Sequence, residues 1–153
     1  MRMSNAGIES HAMPHDFLVV TLGADEYAFD VARVLEIRPF EHSRCEQRRD
    51  GTLPEISTWK GVRAFVLDMR IAWGCETPEY DPCAAIVLLD AGPRTIGVVV
   101  DRVHAVVAIA PEQLRLPDDS HLPSHHEYLM AVAIDEHHTV NVFDIDKLLA
   151  LIR

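Results

Sequence analysis

The sequence lacks any apolar run close to the roughly 18 to 20 residues that a membrane-spanning helix requires. Residues 84–89 form one of its longest apolar stretches, so we expect no direct membrane insertion. Residues 1–15 include Arg2 but no continuous apolar segment, which predicts a flexible leader rather than a secretory signal. Together these absences predict a cytoplasmic protein.

Cysteine is scarce, and the motifs of several enzyme classes are missing. The three cysteines, Cys45, Cys75 and Cys83, are an odd number without CxxC spacing, which argues against a disulfide framework and a zinc site. None of the serines lies in a GxSxG context, and the seven glycines are too scattered to form a phosphate-binding loop. The sequence therefore predicts no catalytic residues, no cofactor and no ATP binding.

Histidine is frequent, with nine in the chain, and is a common metal ligand. Five of them lie close together, but they form no HExxH motif, and adjacent side chains such as those of His125 and His126 point in different directions. We therefore interpret these histidines as solvated loop residues and expect no metal site. A histidine-rich, metal-dependent module is the remote alternative.

Basic side chains are outnumbered, with 14 Lys and Arg against 24 Asp and Glu, for a formal net charge of -10. Such a charge repels phosphate backbones and anionic lipid surfaces, so nucleic acid is not expected as a partner. Hydrophobic residues make up 48% of the chain. This share is ordinary for a folded domain, and the length suits a single domain with a substantial core.

The apolar pattern indicates short strands joined by turns. Three pairs of β-branched segments each flank a turn-rich segment and predict hairpins: 17–22 with 27–30, 84–89 with 95–100, and 128–134 with 139–143. Tyr27 and Phe29 are two residues apart, which places them on one face of a strand and Ala28 on the other. Many short strands at this spacing predict a barrel or a sandwich.

The remaining segments are assigned by the same criteria. Residues 31–38 fit a helical face as well as a strand. Residues 41–58 predict a long surface loop, 62–71 a strand, 104–109 a continuation of the preceding sheet, and 111–126 an irregular surface segment. Residues 144–152 predict a short helix that begins at Asp144 or Asp146. Asp68 and Asp101 are interpreted as caps or as partners of Arg70 or Arg102 rather than as acid or base groups.

Seven segments, in order along the chain, are together similar to the CheW family of bacterial chemosensory adaptors. The longest are Phe-Leu-Val-Val-Thr-Leu-Gly at 17–23, Val-Leu-Glu-Ile-Arg at 34–38, Val-Leu-Asp-Met-Arg at 66–70 and Gly-Val-Val-Val-Asp at 97–101. Shorter matches lie at 86–89, 127–129 and 146–149. The resemblance extends from Phe17 to Leu149.

This resemblance implies a mostly β fold of two five-stranded β-barrel subdomains that share an apolar core, with a short C-terminal helix. It implies one domain over 16–153, with the two intertwined subdomains dividing near 74–82. The implied function is that of a non-catalytic adaptor, which couples the cytoplasmic tip of a chemoreceptor to the regulatory domain of a CheA-type histidine kinase. The residues expected to bind receptor or kinase are Val31, Val34, Glu36, Ile37, Lys60, Ala85, Val103 and Val106.

The sequence also departs from the family pattern. The family stretch Gly-Val-x-Asn-Leu-Arg-Gly is replaced here by residues 55–61, from Glu55 to Gly61, so Lys60 stands at the arginine position and the planar guanidinium is lost. Phe65 replaces a proline, and Ala105 replaces an acidic residue. A specialised or divergent adaptor of a second chemosensory pathway, for example one for surface motility, with altered receptor coupling is therefore the main alternative. An ion pair between Glu36 and Lys60 is also expected from the family pattern.

Overall fold

The computed structural model describes residues 14–40, 51–74, 79–117, 126–135 and 138–152. Strands dominate this part of the chain, and helical segments are no longer than four residues. The strands are β1 (His15–Leu22), β2 (Asp25–Asp30), β3 (Val34–Pro39), β4 (Thr52–Ser57), β5 (Arg63–Leu67), β6 (Ala85–Asp90), β7 (Thr95–Val100), β8 (Arg102–Ile109), β9 (Leu114–Arg115), β10 (Leu129–Asp135) and β11 (His138–Phe143).

The helical segments are short and lie between strands or after the last one. Two are single α-helical turns, α1 (Met69–Ala72) and α2 (Ile145–Leu148), and each follows an aspartate whose side chain caps its first turn. The 3₁₀ segments are Val31–Arg33, Pro111–Gln113, His126–Tyr128 and Leu149–Ile152.

The strands form two sheets. The first has six strands in the order β8-β1-β2-β11-β10-β9, and the second has five in the order β3-β6-β7-β5-β4. Most neighbours are antiparallel, but β2 pairs with β11 and β5 pairs with β7 in parallel. The first sheet thus takes its strands from both ends of the chain, and the second is inserted between them.

Three apolar clusters make up the core formed by the described residues. The largest lies between the sheets, where Phe29 and Val20 of the first sheet pack with Val87 and Val98 of the second. Each sheet also has a cluster of its own on its other face, which includes Ala28 in the first sheet and Val66 in the second. Both faces of each sheet are therefore covered by apolar side chains along part of their length.

The mostly β class, the two sheets around a shared core and the short C-terminal helix are confirmed. The expected barrels differ in two respects, because the first sheet has six strands and neither ladder of backbone hydrogen bonds closes on itself. The sixth strand is β9, which has only two residues and pairs with β10. It lies within the proline-rich segment 111–126, which was expected to be irregular. In the second sheet the two edges are joined instead by a side chain, since Arg38 Nη1 of β3 donates to the Ser57 carbonyl of β4 at 3.0 Å.

All three predicted hairpins are confirmed, and Tyr27 and Phe29 do share the inter-sheet face opposite Ala28. The expected surface loop was wrong over residues 52–57, which form β4; residues 41–50 lie outside the described part of the chain. Pro54 is tolerated there because β4 is an edge strand whose pairing with β5 is irregular between Leu53 and Ile56.

Two further segments differ from expectation. The strand expected over 62–71 ends at Leu67, because the Asp68 side chain accepts a hydrogen bond from the Arg70 amide and starts α1. Residues 104–109 do form a strand, but β8 pairs with β1 and therefore belongs to the other sheet.

Residues 31–38, for which helix and strand were both open, divide into one 3₁₀ turn followed by β3. The segment 74–82 lies between β5 and β6, both in the second sheet, so a subdomain division there stays a prediction.

Candidate functional site

A groove of about 500 Å³ runs between the two sheets. One wall is the end of β3, with Ile37 and Pro39, and the opposite wall is the start of β8, with Val103. The segment that leads into β6 forms the floor and includes Ala85. Apolar side chains and the basic side chains of Arg38 and Arg102 thus meet along a concave surface at the junction of the sheets. Such a surface is a common setting for a protein docking site.

Strand β3 supplies much of this surface because it is an edge strand with strict alternation. Its residues are alternately half-buried and exposed, and Leu35 and Ile37 are 50% and 46% exposed. The pairing with β6 shifts between Val34 and Glu36, which is a β-bulge. A bulge at an edge redirects side chains and interrupts pairing, so it helps to present Leu35 outward.

Glu36 is held in place beside the groove. Its Oε2 accepts hydrogen bonds from Arg38 Nη2 at 2.7 Å and Nε at 3.2 Å, and its Oε1 accepts from the Trp59 amide at 3.3 Å. The hydrogen bond from Arg38 is the main cause that lowers the pKa of the Glu36 carboxyl, and the Trp59 amide acts in the same direction. Glu36 therefore presents an oriented negative charge at this surface.

Lys60 does not pair with Glu36, so that expectation was wrong. Within the described residues, the cationic partner of Glu36 is Arg38, on the same strand, and Lys60 Nζ instead lies 5.1 Å from the centre of the Trp59 ring. Arg38 is the partner of Glu36 because the two residues are two apart on β3, so that their side chains project from the same face of the strand. Trp59 itself is 72% exposed, which leaves a large aromatic surface next to Glu36.

The eight residues expected to bind partners fall into four groups. Ile37, Ala85 and Val103 line the groove, and Glu36 and Lys60 lie near its β3 side or on the adjoining Trp59. Val31 and Val34 are half-buried and pack against the inter-sheet core. Val106, 56% exposed, lies farther along β8 and does not line the groove. The structure therefore brings three of the eight together directly.

Sequence reasoning missed Trp59 and Leu35. Trp59 lies in the turn 58–61 between β4 and β5, where the Gly61 amide donates to the Thr58 carbonyl at 2.9 Å. A tryptophan in a polar, glycine-containing turn is a signal for an exposed aromatic contact, because a turn offers little core in which to bury it. Leu35 carried no such signal, since its exposure depends on the bulge in β3.

A buried charged network supports the junction of the sheets behind the groove. Asp68 is fully buried, caps α1 and accepts a short hydrogen bond from the Tyr80 hydroxyl. Arg70 Nη1 lies 2.7 Å from Asp101 Oδ1, and Asp101 Oδ2 accepts from the Gly23 amide at 2.7 Å. Because Asp68 and Arg70 follow β5 whereas Gly23 lies in the turn between β1 and β2, this network links the two sheets. Arg102 pairs with Asp81 instead, at 3.4 Å.

Metal ligation has no support in the part of the chain that the structure describes, where no three His, Cys, Asp or Glu side chains are placed to bind one ion. His121, His125 and His137 lie outside the described residues. Nor does any helix among the described residues have the length and apolarity to cross a membrane.

Comparison with known proteins identifies the relatives of this arrangement. Residues 16–153 match the family model of the CheW-like domain. The chain is 28% identical over 135 residues to a chemotaxis protein CheW of Klebsiella aerogenes, covering 88% of this chain and 81% of that protein. Its fold is similar to the crystal structure of the scaffolding protein TtCheW from Thermoanaerobacter tengcongensis, with a TM-score of 0.71, 17% identity, and coverage of 86% of this chain and 90% of that one.

Proposed function

Since the chain belongs to the CheW-like domain family, we propose that it is a non-catalytic adaptor that couples chemoreceptors to a CheA-type histidine kinase. The observation that carries the proposal is the groove between the sheets, which is lined by the apolar Ile37, Ala85 and Val103 and lies beside the oriented Glu36 carboxylate. The protein acts in the cytoplasm, where it joins two partners without modifying either of them.

The receptor tip binds in the groove. A helix docks into a concave apolar surface through side chains spaced three and four residues apart, and a helical segment of the receptor tip would bind in this way. Ile37 and Pro39 on one wall and Val103 on the other supply the apolar contacts. Glu36 and Lys60 lie at the margin, where charged groups select the partner and fix its orientation more than they add affinity.

The kinase regulatory domain binds a separate surface on the first sheet. Strand β8 is an edge of that sheet, and its residues from His104 to Ala108 are exposed. Val106 and Val107 are 56% and 43% exposed there. An exposed apolar edge strand is a surface on which another β domain docks by backbone and side-chain contacts together. Separate surfaces allow the adaptor to hold both partners at once.

Replacement of Ile37 by Asp tests the receptor surface. Ile37 is half-exposed and lines the groove, so the variant should fold normally. A charge at the centre of an apolar interface costs about 2 kcal/mol or more, or about thirty-fold in affinity. We expect that loss for the cytoplasmic fragment of a chemoreceptor from the same genome, and unchanged affinity for the kinase regulatory domain, both measured by titration calorimetry.

Ile134→Asp is the matched control, because Ile134 is 45% exposed on β10 and does not line the groove. Both variants should retain the circular dichroism spectrum of the wild type, and Ile134→Asp should retain receptor binding. Val34→Asp is a poorer test, since Val34 packs against the core and its replacement destabilises the fold. Failure of the wild type to bind any kinase or receptor of its own genome would contradict the adaptor function. Binding of the kinase alone would indicate the divergent adaptor with altered receptor coupling.

A further inference from the structure

A second cavity, of about 330 Å³, lies within the first sheet. It is separate from the groove between the sheets, and part of its lining, including Val107, belongs to strand β8, which is proposed above to bind the kinase. Its apolar lining comes from four strands and includes Val19 of β1, Ala105 of β8, Ala133 of β10 and Val140 of β11. A volume at the lower end of the usual range for small-molecule pockets suits a ligand of modest size.

The cavity lies against the first sheet, which does not close on itself. Its edge strands are β8 and β9, and β9 contributes only two residues, which pair with β10. Three of the residues that line the cavity are alanines, namely Ala105, Ala108 and Ala133. Side chains of this size leave space beside the sheet that larger ones would fill.

Polar groups converge at one end of this cavity. Glu26 of β2 contacts the His138 ring of β11 through Oε1, and its Oε2 lies 3.9 Å from His104 Nε2 of β8. The same ring nitrogen of His104 contacts the Thr21 hydroxyl of β1. These four side chains come from four neighbouring strands, so the sheet itself fixes their arrangement.

The charge at this end favours a cation. Among the residues that the structure describes, Glu26 is the only carboxylate that lines the cavity, and no Lys or Arg does so. Its Oε2 is too far from His104 for a hydrogen bond, so a ligand can donate to it there. The Glu26 carboxylate lies at this end of the cavity, in a protein with a formal net charge of -10.

We propose that this cavity binds a small primary amine with an apolar body of about ten non-hydrogen atoms, a size consistent with the smallest protein pockets. The apolar body occupies the space between Val19, Ala133 and Val140, and the ammonium group donates a hydrogen bond to Glu26 Oε2. An apolar body alone would bind by burial, and the ammonium group adds the preference over neutral molecules of the same shape.

The test uses 2-phenylethylamine as the probe, with 2-phenylethanol and phenylacetate as the neutral and anionic compounds of similar shape. Titration calorimetry at pH 8 on the full chain should give one site that binds the amine at least ten-fold more tightly than the alcohol, and phenylacetate more weakly still. Methyl resonances of Val19 and Val140 should shift on addition of the amine.

Two variants separate the parts of the proposal. Glu26→Gln keeps the shape of the side chain and should bring the amine and the alcohol to equal affinity. Ala105→Phe fills the cavity from an exposed edge-strand position and should reduce binding of both at least ten-fold, whereas Ile134→Phe, which lies outside the cavity, should not. Equal binding of amine and alcohol to the wild type, a preference that survives Glu26→Gln, or binding that is insensitive to Ala105→Phe would each overturn the proposal, as would no saturable binding of the amine.

Discussion

Arg70 and Asp101 form an ion pair of 2.7 Å between Nη1 and Oδ1, and the two side chains are only 15% and 18% exposed. Arg70 lies in α1, directly after the second sheet, and Asp101 lies between β7 and β8, where the chain passes from the second sheet to the first. The Arg70 guanidinium also lies 3.7 Å from the fully buried Asp68 and 5.0 Å from the centre of the Tyr80 ring. The Arg70 guanidinium therefore interacts with two carboxylates, those of Asp68 and Asp101, at the junction of the sheets.

Removal of that cation should destabilise the protein strongly. Arg70→Met leaves Asp68 and Asp101 without their cation in a poorly solvated place, which costs about 3 kcal/mol in the free energy of unfolding. Denaturant unfolding followed by fluorescence measures this loss. Arg102→Met is the matched control, because Arg102 and Asp81 form a well-exposed pair at 3.4 Å. The control should unfold close to the wild type, and equal losses in both variants would contradict the role given to Arg70.

The C-terminal turns should contribute to the fold through Leu148. Leu148 is fully buried in the inter-sheet core, and Leu149 and Ile152 pack against the same core. Leu148→Asp places a carboxylate in that apolar setting and should cost several kcal/mol, about 3 to 5. Ala150→Asp is the control, because Ala150 is exposed on the following 3₁₀ turn. This variant should change the free energy of unfolding by about 0.5 kcal/mol or less. An unchanged melting temperature for Leu148→Asp would mean that the C-terminal turns are not docked.

The features that could be predicted from the sequence are those in which neighbouring residues determine the outcome. Alternation over Tyr27, Ala28 and Phe29 set both the strand and its two faces, and turn residues located the three hairpins. The family resemblance extended this local pattern to two sheets around a shared core.

The features that escaped prediction depend on contacts between distant segments. Strand β4 contains Pro54 and is half-exposed, so its own residues give a weak strand pattern. Its strand conformation depends on its pairing with β5. Strand β8 could not be assigned to the first sheet, since its register is set by β1, more than 80 residues earlier. The partner of Glu36 was missed because Arg38 lies on the same face of β3 and its guanidinium is within hydrogen-bond distance of the Glu36 carboxylate.

Gly51 should be intolerant of any side chain. It has a φ of +87°, and a Cβ there would lie 2.7 Å from the Asp68 carbonyl oxygen and 2.9 Å from the Ala72 amide nitrogen. Backbone atoms cannot move aside cheaply, so Gly51→Ala should destabilise the protein by about 3 kcal/mol or more. Gly61→Ala separates the two causes, since Gly61 has a similar φ of +80° with open space around it. That variant should lose only about 1 kcal/mol, and equal losses would show that the contact with α1 is unimportant.

The last prediction concerns Glu36, whose pKa is lowered chiefly by the hydrogen bond from Arg38. A carboxyl with a lowered pKa in the folded state stabilises the protein above its pKa in the unfolded state, about 4.3, and this contribution is lost as the pH falls through the folded value. Arg38→Met removes the hydrogen bond, so the Glu36 pKa should rise toward its ordinary value and the loss of stability in acid should become less steep.

NMR titration of the Glu36 side-chain carboxyl carbon measures that pKa directly, and unfolding at a series of pH values measures the change in slope. Arg63→Met is the control, because Arg63 pairs with Glu55 at 2.7 Å rather than with Glu36 and should leave the Glu36 titration where it is in the wild type. Arg38 also donates to the Ser57 carbonyl, so some loss of stability at neutral pH is expected in Arg38→Met whatever happens to Glu36. A Glu36 pKa that does not rise in Arg38→Met would show that the Trp59 amide, and not the guanidinium, controls the charge beside the groove.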